Sequence, residues 1–155
     1  KKFFNGEIVG DISVESSNLV STEVDSKIAP RLIDEFPILF VAASFASGKS
    51  TFKGLEELKF KESDRLKTMV DALKDAGVEL GLKKDTLEVI GNKKQQGGNL
   101  VNTNSDHRIA MSMLTFGLAA EKSITIDDSS MIKTSFPRFK ETMNRINASI
   151  SNVSK

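Results

Sequence analysis

The sequence predicts an α/β fold built from two copies of a β-α-β-α-β-β unit, the second copy lacking its last two strands. Three observations carry this. Strand-like and helix-like apolar spacings alternate along the chain. Proline and glycine sit where helices start and stop. The chain also repeats itself at a spacing of about 73 residues.

The elements follow in order. Residues 5–17 alternate apolar positions at Ile8, Ile12 and Val14, the pattern of a half-buried strand. Pro37 opens an apolar run, Ile38 to Ala46, that Gly48 closes, which predicts a helix. Thr51 to Phe60 reads as a strand. The clearest helix spans about Ser63 to Ala76, because Leu66, Met69, Val70 and Leu73 fall on one face. Ser63 is placed to cap its start, and Gly77 to take the left-handed conformation at its end. Strands near 78–82 and 86–90 flank Lys84-Asp85. Lys93 to Asn99 is a loop, and Leu100-Val101 a short strand. A helix over about Asp106–Ala120, a strand at Ser123–Asp127 and a helix from Pro137 to about Asn147 complete the order. The tail Ser149–Lys155 is expected to fray.

In the repeat, Gly48–Gly54 aligns with Glu121–Asp127, so that Asp34 falls on His107, Arg65 on Arg138 and Leu73 on Ile146. The period is too long for a solenoid. The expected organisation is a single sub-domain: repeat one at about 5–91, repeat two at about 99–147, and a tail at 148–155. The incomplete second copy would leave an open sheet edge. That edge, together with a start at Lys1-Lys2-Phe3-Phe4 without methionine, leads us to expect a piece of a longer protein.

Composition narrows the function classes. The 155 residues are 39% apolar and 28% charged, with a formal net charge of +1. This balance suits a globular protein and argues for neither a nucleic-acid nor a membrane partner. No apolar run nears the length of a membrane span, and no signal peptide is recognised, so a cytoplasmic setting is the default. The absence of cysteine excludes disulfides, thiolate zinc sites and cysteine nucleophiles, and a single histidine leaves little for a metal site.

Charged residues gather at three predicted helix starts: Lys61-Glu62-Ser63-Asp64-Arg65, Asp106-His107-Arg108, and Lys133 just before Pro137. Cations there oppose the helix dipole, whereas an anion bound among them would meet exposed amides and side-chain charges together. Each group also has an ordinary reading. Glu62 and Asp64 favour a helix start, and Arg65 can pair with either. His107 can serve as a cap, and Lys133 can be a solvated lysine. Asp34, directly before an apolar helix, is either an acid at a positive dipole end or a carboxylate at the edge of a cleft, available as a base.

Ala43–Ser50 satisfies a relaxed phosphate-loop pattern, which would make the chain a nucleotide-binding protein. That loop works between a preceding strand and a following helix. Here the predicted order is helix then strand, which argues against it.

Ile33-Asp34-Glu35-Phe36-Pro37, Lys61-Glu62-Ser63-Asp64-Arg65-Leu66, Asp106-His107-Arg108-Ile109-Ala110-Met111 and Lys133-Thr134-Ser135-Phe136-Pro137 occur in one order. Together these motifs resemble the C-terminal part of the EPSP synthase family (3-phosphoshikimate 1-carboxyvinyltransferase), over roughly residues 8 to 147. The resemblance implies an inside-out α/β barrel lobe with about two of its three β-α-β-α-β-β units present. It implies transfer of the enolpyruvyl group of phosphoenolpyruvate to the 5-hydroxyl of shikimate 3-phosphate, with release of phosphate. The setting would be the shikimate pathway to chorismate and the aromatic amino acids. No metal and no organic cofactor is expected.

On the same resemblance, Asp34 is the base at the 5-hydroxyl, and Glu62 the acid that protonates the methylene carbon and later helps to remove a proton. Arg65 and Arg108 clamp the phosphoenolpyruvate carboxylate and phosphate. Lys61 lies where the two substrates meet, and Lys133 and His107 lie beside phosphoenolpyruvate. The family enzyme is much longer and closes two lobes. The missing N-terminal part of the same chain is therefore the expected partner, and this segment alone is expected to be inactive. The rival reading is a non-catalytic binding module that keeps the fold.

Overall fold

The computed structural model describes residues 2–153. Lys1 and the last two residues of the expected tail lie outside that range. The elements are β1 (Lys2–Phe4), β2 (Glu7–Val9), β3 (Glu23–Val24), α1 (Ala29–Leu32), α2 (Phe36–Ser44), β4 (Gly48–Phe52), a 3-10 helix (Glu56–Phe60), α3 (Arg65–Asp75), β5 (Glu79–Lys83) and β6 (Thr86–Gly91). They continue with β7 (Leu100–Val101), α4 (His107–Ala119), β8 (Thr125–Ile126), α5 (Ile132–Ser135) and α6 (Phe139–Arg145).

Four strands form the main sheet in the order β3-β4-β6-β5, with β3 parallel to β4 and the other pairings antiparallel. A second parallel pair, β7 and β8, stands apart from it. In each parallel pair the connection between strands is helical, and a further helix follows: α3 after β4, α6 after β8. The repeat spacing lays α2 on α4 and α3 on α6.

Helix α2 is apolar nearly all round, the signature of a helix enclosed by its neighbours. It packs on β6, α3 and α4. Its Phe36 and Phe40 meet Phe52 of β4, with ring centroids 5.0–6.2 Å apart. Leu66, Met69 and Leu73 of α3 and Ile109, Met113 and Phe116 of α4 complete the core. On the far side of α4, Ala110 joins Ile132 and Phe139 in a smaller cluster beneath α5 and α6.

Several expectations change. The strand read over 5–17 is a hairpin that ends at Val9. Beyond it Ile12 and Val14 are 91% and 89% exposed, because alternation makes a strand only where a paired edge and a core receive it. The strand read over Thr51–Phe60 stops at Phe52. Gly54 turns the chain at φ +76°, and the 3-10 helix that follows buries Leu55 and Leu58, which its three-residue turn brings to one side. Gly48 starts β4 rather than closing α2. The cap of α3 is Asp64, whose Oδ1 accepts from the Lys67 amide at 3.0 Å, not Ser63. Gly77 has φ +88°, as expected at a helix end. Helices α1 and α5 were not anticipated, being one turn each. Residues 43–50 run from α2 through a turn into β4, so a helix precedes and a strand follows the phosphate-loop pattern.

Candidate functional site

Three backbone turns converge on one guanidinium. The turn between α1 and α2 contributes Asp34 and Glu35. The junction between the 3-10 helix and α3 contributes Lys61 to Arg65, and the start of α4 contributes Asp106 to Arg108. Arg65 is the first residue of α3, and its side chain is only 1% exposed. A buried cation at a helix N-terminus suffers both from the dipole and from lost hydration. It persists because three carboxylates surround it. Nε donates to Asp106 Oδ2 at 2.9 Å, Nη1 donates to Asp34 Oδ1 at 3.0 Å, and Nη2 donates to Glu62 Oε2.

Asp106 is fully buried and ties two helix starts together. Its Oδ1 caps α4 by accepting the amides of Arg108 (2.9 Å) and Ile109 (3.4 Å), while Oδ2 takes the Ser63 hydroxyl at 3.1 Å besides Arg65. Burial pushes this carboxyl up. The hydrogen bond and charge of Arg65, with the two amides, outweigh burial and hold it below its ordinary value of 3.8.

Arg108 reaches back across the gap to the α1–α2 turn. Its Nη1 donates to the Asp34 carbonyl at 2.7 Å and to Glu35 Oε1 at 3.2 Å, and its Nη2 lies 3.9 Å from Asp34 Oδ2. The structure thus brings Asp34, Glu62, Arg65 and Arg108 into one ion-pair network. Lys61 stands at the same junction but pairs with Glu57 at 3.0 Å. His107 is the half-buried first residue of α4, with no side-chain hydrogen bond among the described residues. Lys133 is exposed within α5, not before a long helix, and among the described residues it joins no ion pair. It is not brought into the network.

Sequence reading passed over Asp106 and Glu35 as site residues. Asp106 was detectable: an aspartate directly before an apolar helical run is a cap position. Of the two alternatives left open for Arg65, the partner is Glu62 and not Asp64, since Asp64 turns its side chain to the Lys67 amide of its own helix.

In all, four carboxylates (Asp34, Glu35, Glu62, Asp106) meet two guanidiniums. Asp34 and Glu62 are about half exposed, at 49% and 50%. Chemically this is a pair of accessible carboxylates able to move protons, set beside arginines whose planar forks suit carboxylate and phosphate groups.

The family model for EPSP synthase (3-phosphoshikimate 1-carboxyvinyltransferase) matches residues 6–143. A 3-phosphoshikimate 1-carboxyvinyltransferase of Chelativorans sp. is 49% identical over 147 residues, covering 94% of this chain and 33% of that protein. One from Methylorubrum extorquens is 48% identical over 146 residues, covering 94% and 32%. The chain thus spans about a third of the length of the curated relatives it matches. EPSP synthase from Acinetobacter baumannii superposes with a TM-score of 0.80 at 36% identity, over 89% of this chain and 32% of that one. The enolpyruvyl transferase NikO from Streptomyces tendae, at 18% identity and a TM-score of 0.66, shares the fold alone.

Proposed function

The chain belongs to the EPSP synthase family, and on that premise we propose that it carries part of the active site that transfers the enolpyruvyl group of phosphoenolpyruvate to shikimate 3-phosphate. Its α/β fold is that of the family's solved structures. Residues 5–91 and 99–147 are read as two repeats of one sub-domain, which the remaining length of the longer protein completes. Turnover belongs to the completed enzyme of the shikimate pathway, working in the cytoplasm, and the segment alone is inactive. Among the described residues no helix is long and apolar enough to cross a membrane.

The observation that carries the reading is that Asp34 and Glu62, both solvent-accessible, are anchored to a single buried arginine with Arg108 alongside. Asp34 takes the proton of the 5-hydroxyl as that oxygen bonds to C2 of phosphoenolpyruvate. Glu62 delivers a proton to the methylene carbon, giving a tetrahedral ketal phosphate. Loss of a methyl proton, assisted by Glu62, then breaks the C–O bond to phosphate and restores the double bond. Arg65 and Arg108 hold the carboxylate and phosphate of phosphoenolpyruvate. Lys61 stands between the substrates, and His107 and Lys133 lie beside phosphoenolpyruvate. A charge pair at about 4 Å is worth roughly 4 kcal/mol at an effective dielectric near 20, so each cation that turns from its carboxylate partner to a substrate anion contributes to holding that anion in place.

Residue-resolved NMR titration of the chain with phosphoenolpyruvate plus shikimate 3-phosphate tests this, with magnesium ATP as control. Shifts should gather at Asp34, Lys61–Arg65, Asp106–Arg108 and Lys133. Shifts confined to residues 43–50, seen with ATP only, would replace this reading with nucleotide binding.

A further inference from the structure

The two parallel strand pairs are built alike but finished differently. In the first, the Thr51 amide donates to the Thr22 carbonyl at 2.9 Å and the Lys53 amide to that of Val24 at 3.0 Å. In the second, the Thr125 amide donates to the Asn99 carbonyl at 3.1 Å and the Asp127 amide to that of Val101 at 3.0 Å. The hairpin β5–β6 covers the other edge of β4, whereas among the described residues no strand pairs with the matching edge of β8.

The hairpin β1–β2 has the opposite lack. Its strands are exposed throughout, with Phe3 at 73% and Ile8 at 61%. Yet Glu7-Ile8-Val9-Gly10-Asp11 follows the pattern of Glu88-Val89-Ile90-Gly91-Asn92, and both hairpins close on a two-residue turn. Phe3 stands opposite Ile8 as Leu80 stands opposite Val89, the pair that β5–β6 turns toward the core.

We propose that β1–β2 of one copy of this chain docks on the β8 edge of a second copy. The sheet formed there has the order β7-β8-β2-β1, which repeats the β3-β4-β6-β5 order of the main sheet. Chain direction makes the partner a second copy rather than the chain's own β8. The hairpin β5–β6 completes the sheet before it and leads into the pair after it, β7–β8. By the same rule β1–β2, which leads into β3–β4, completes a sheet from before β3, and a neighbour's β7–β8 supplies one. Exchange in both directions closes a two-fold dimer in which each β8 edge and each hairpin is paired. Residues 10–18 are exposed and span roughly 30 Å when extended, enough to carry the hairpin across.

The main sheet also sets the register. There Thr51 faces Glu88, Ser50 faces Val89, Lys49 faces Ile90 and Gly48 faces Gly91. Transferred to the dimer, Thr125 faces Glu7, Ile124 faces Ile8, Ser123 faces Val9 and Lys122 faces Gly10. Ile124 is already buried, so Ile8 and Phe3 extend an existing apolar surface, and a slip by one residue would turn them outward. Two short hairpins make a small interface, so the dilute chain is monomeric and dimers form toward roughly 0.1 mM.

Sedimentation equilibrium of the 155-residue chain should show the mass of one chain rising toward that of two as concentration increases. Gly10 supplies the decisive variant. A Cβ on its counterpart Gly91 would lie 2.1 Å and 2.3 Å from two backbone carbonyl oxygens, whereas a Cβ on Gly10 meets nothing within 4 Å in the single chain. Gly10→Ala should therefore leave the melt of the dilute chain unchanged and weaken association roughly tenfold. Gly81→Ala, equally unobstructed, should change neither. The chain has no cysteine, so engineered thiols report the register directly. Facing residues of an antiparallel pair lie about 4.5–5.5 Å apart, within reach of a disulfide. Oxidising a mixture of Val9→Cys and Ser123→Cys chains should give a mixed dimer in excess of either chain bonded to itself. The mass of one chain at every concentration, association undiminished in Gly10→Ala, or no preference for the mixed disulfide would overturn the proposal. None of these outcomes bears on enolpyruvyl transfer.

Discussion

Asp106 illustrates how much one side chain can hold when it is dry. It satisfies a helix N-terminus, a hydroxyl and a buried guanidinium at once. Removing one partner of such a pair leaves the other charge buried and uncompensated, at a cost of about 3–5 kcal/mol. Asp106→Ala should therefore destabilise the chain by about that much in urea melts, and Asp106→Asn, which keeps a cap oxygen, by less. The depressed pKa of the folded carboxyl fixes the sign of its pH dependence. Its contribution is fully present above the ordinary carboxylate value. It is lost as pH falls from about 4 through the lower folded value. Stability measured at pH 6 and at pH 3 should accordingly fall less in Asp106→Asn than in the unsubstituted chain.

Among the elements, α2 and the strand end beside it leave the least freedom. A Cβ on Gly91, the last residue of β6, would lie 2.1 Å from the Ala46 carbonyl oxygen and 2.3 Å from that of Ala43. Both are backbone atoms, so either the helix end or the strand must move. Gly91→Ala should lower the denaturation midpoint steeply. Gly81→Ala in β5, where nothing lies within 4 Å, should leave it nearly unchanged. The start of α3 offers a second check. Asp64 caps it, and Asp64→Ala should cost about 1 kcal/mol in the same melts.

For the molecule as a whole, the buried interior and the N-terminal hairpin contrast. Helices α2, α3 and α4 share one continuous apolar core, whereas Phe3, Phe4 and Ile8 are 61–73% exposed. A two-stranded hairpin that buries nothing adds little to stability. Deleting residues 1–9 should change the unfolding free energy by about 0.5 kcal/mol or less. The same deletion should reduce binding of an apolar dye such as ANS, since exposed apolar side chains leave with it.

Local periodicity was enough to locate α2, α3, α4, the β5–β6 pair and the β7 and β8 strands, because each depends on which side its apolar residues take. Charged residues at helix starts marked Asp34, Glu62, Arg65 and Arg108 as candidates, and the structure places the four in one ion-pair network. Local pattern failed where the outcome depends on what lies opposite. Ile12 and Val14 alternate like a strand but meet no paired edge, and Leu55 and Leu58 face the core from a 3-10 turn after Gly54. Two of the three partners of Arg65, Asp34 and Asp106, come from 31 positions before it and 41 after it, distances at which sequence spacing carries no information about contact. The charged helix starts, though not the roles of Asp106 and Glu35, were legible in the chain itself. Their convergence on one buried guanidinium, with Asp106 as the anchor and Lys133 left outside, was decided by tertiary packing, because only the packed core of α2, α3 and α4 brings three separate turns together.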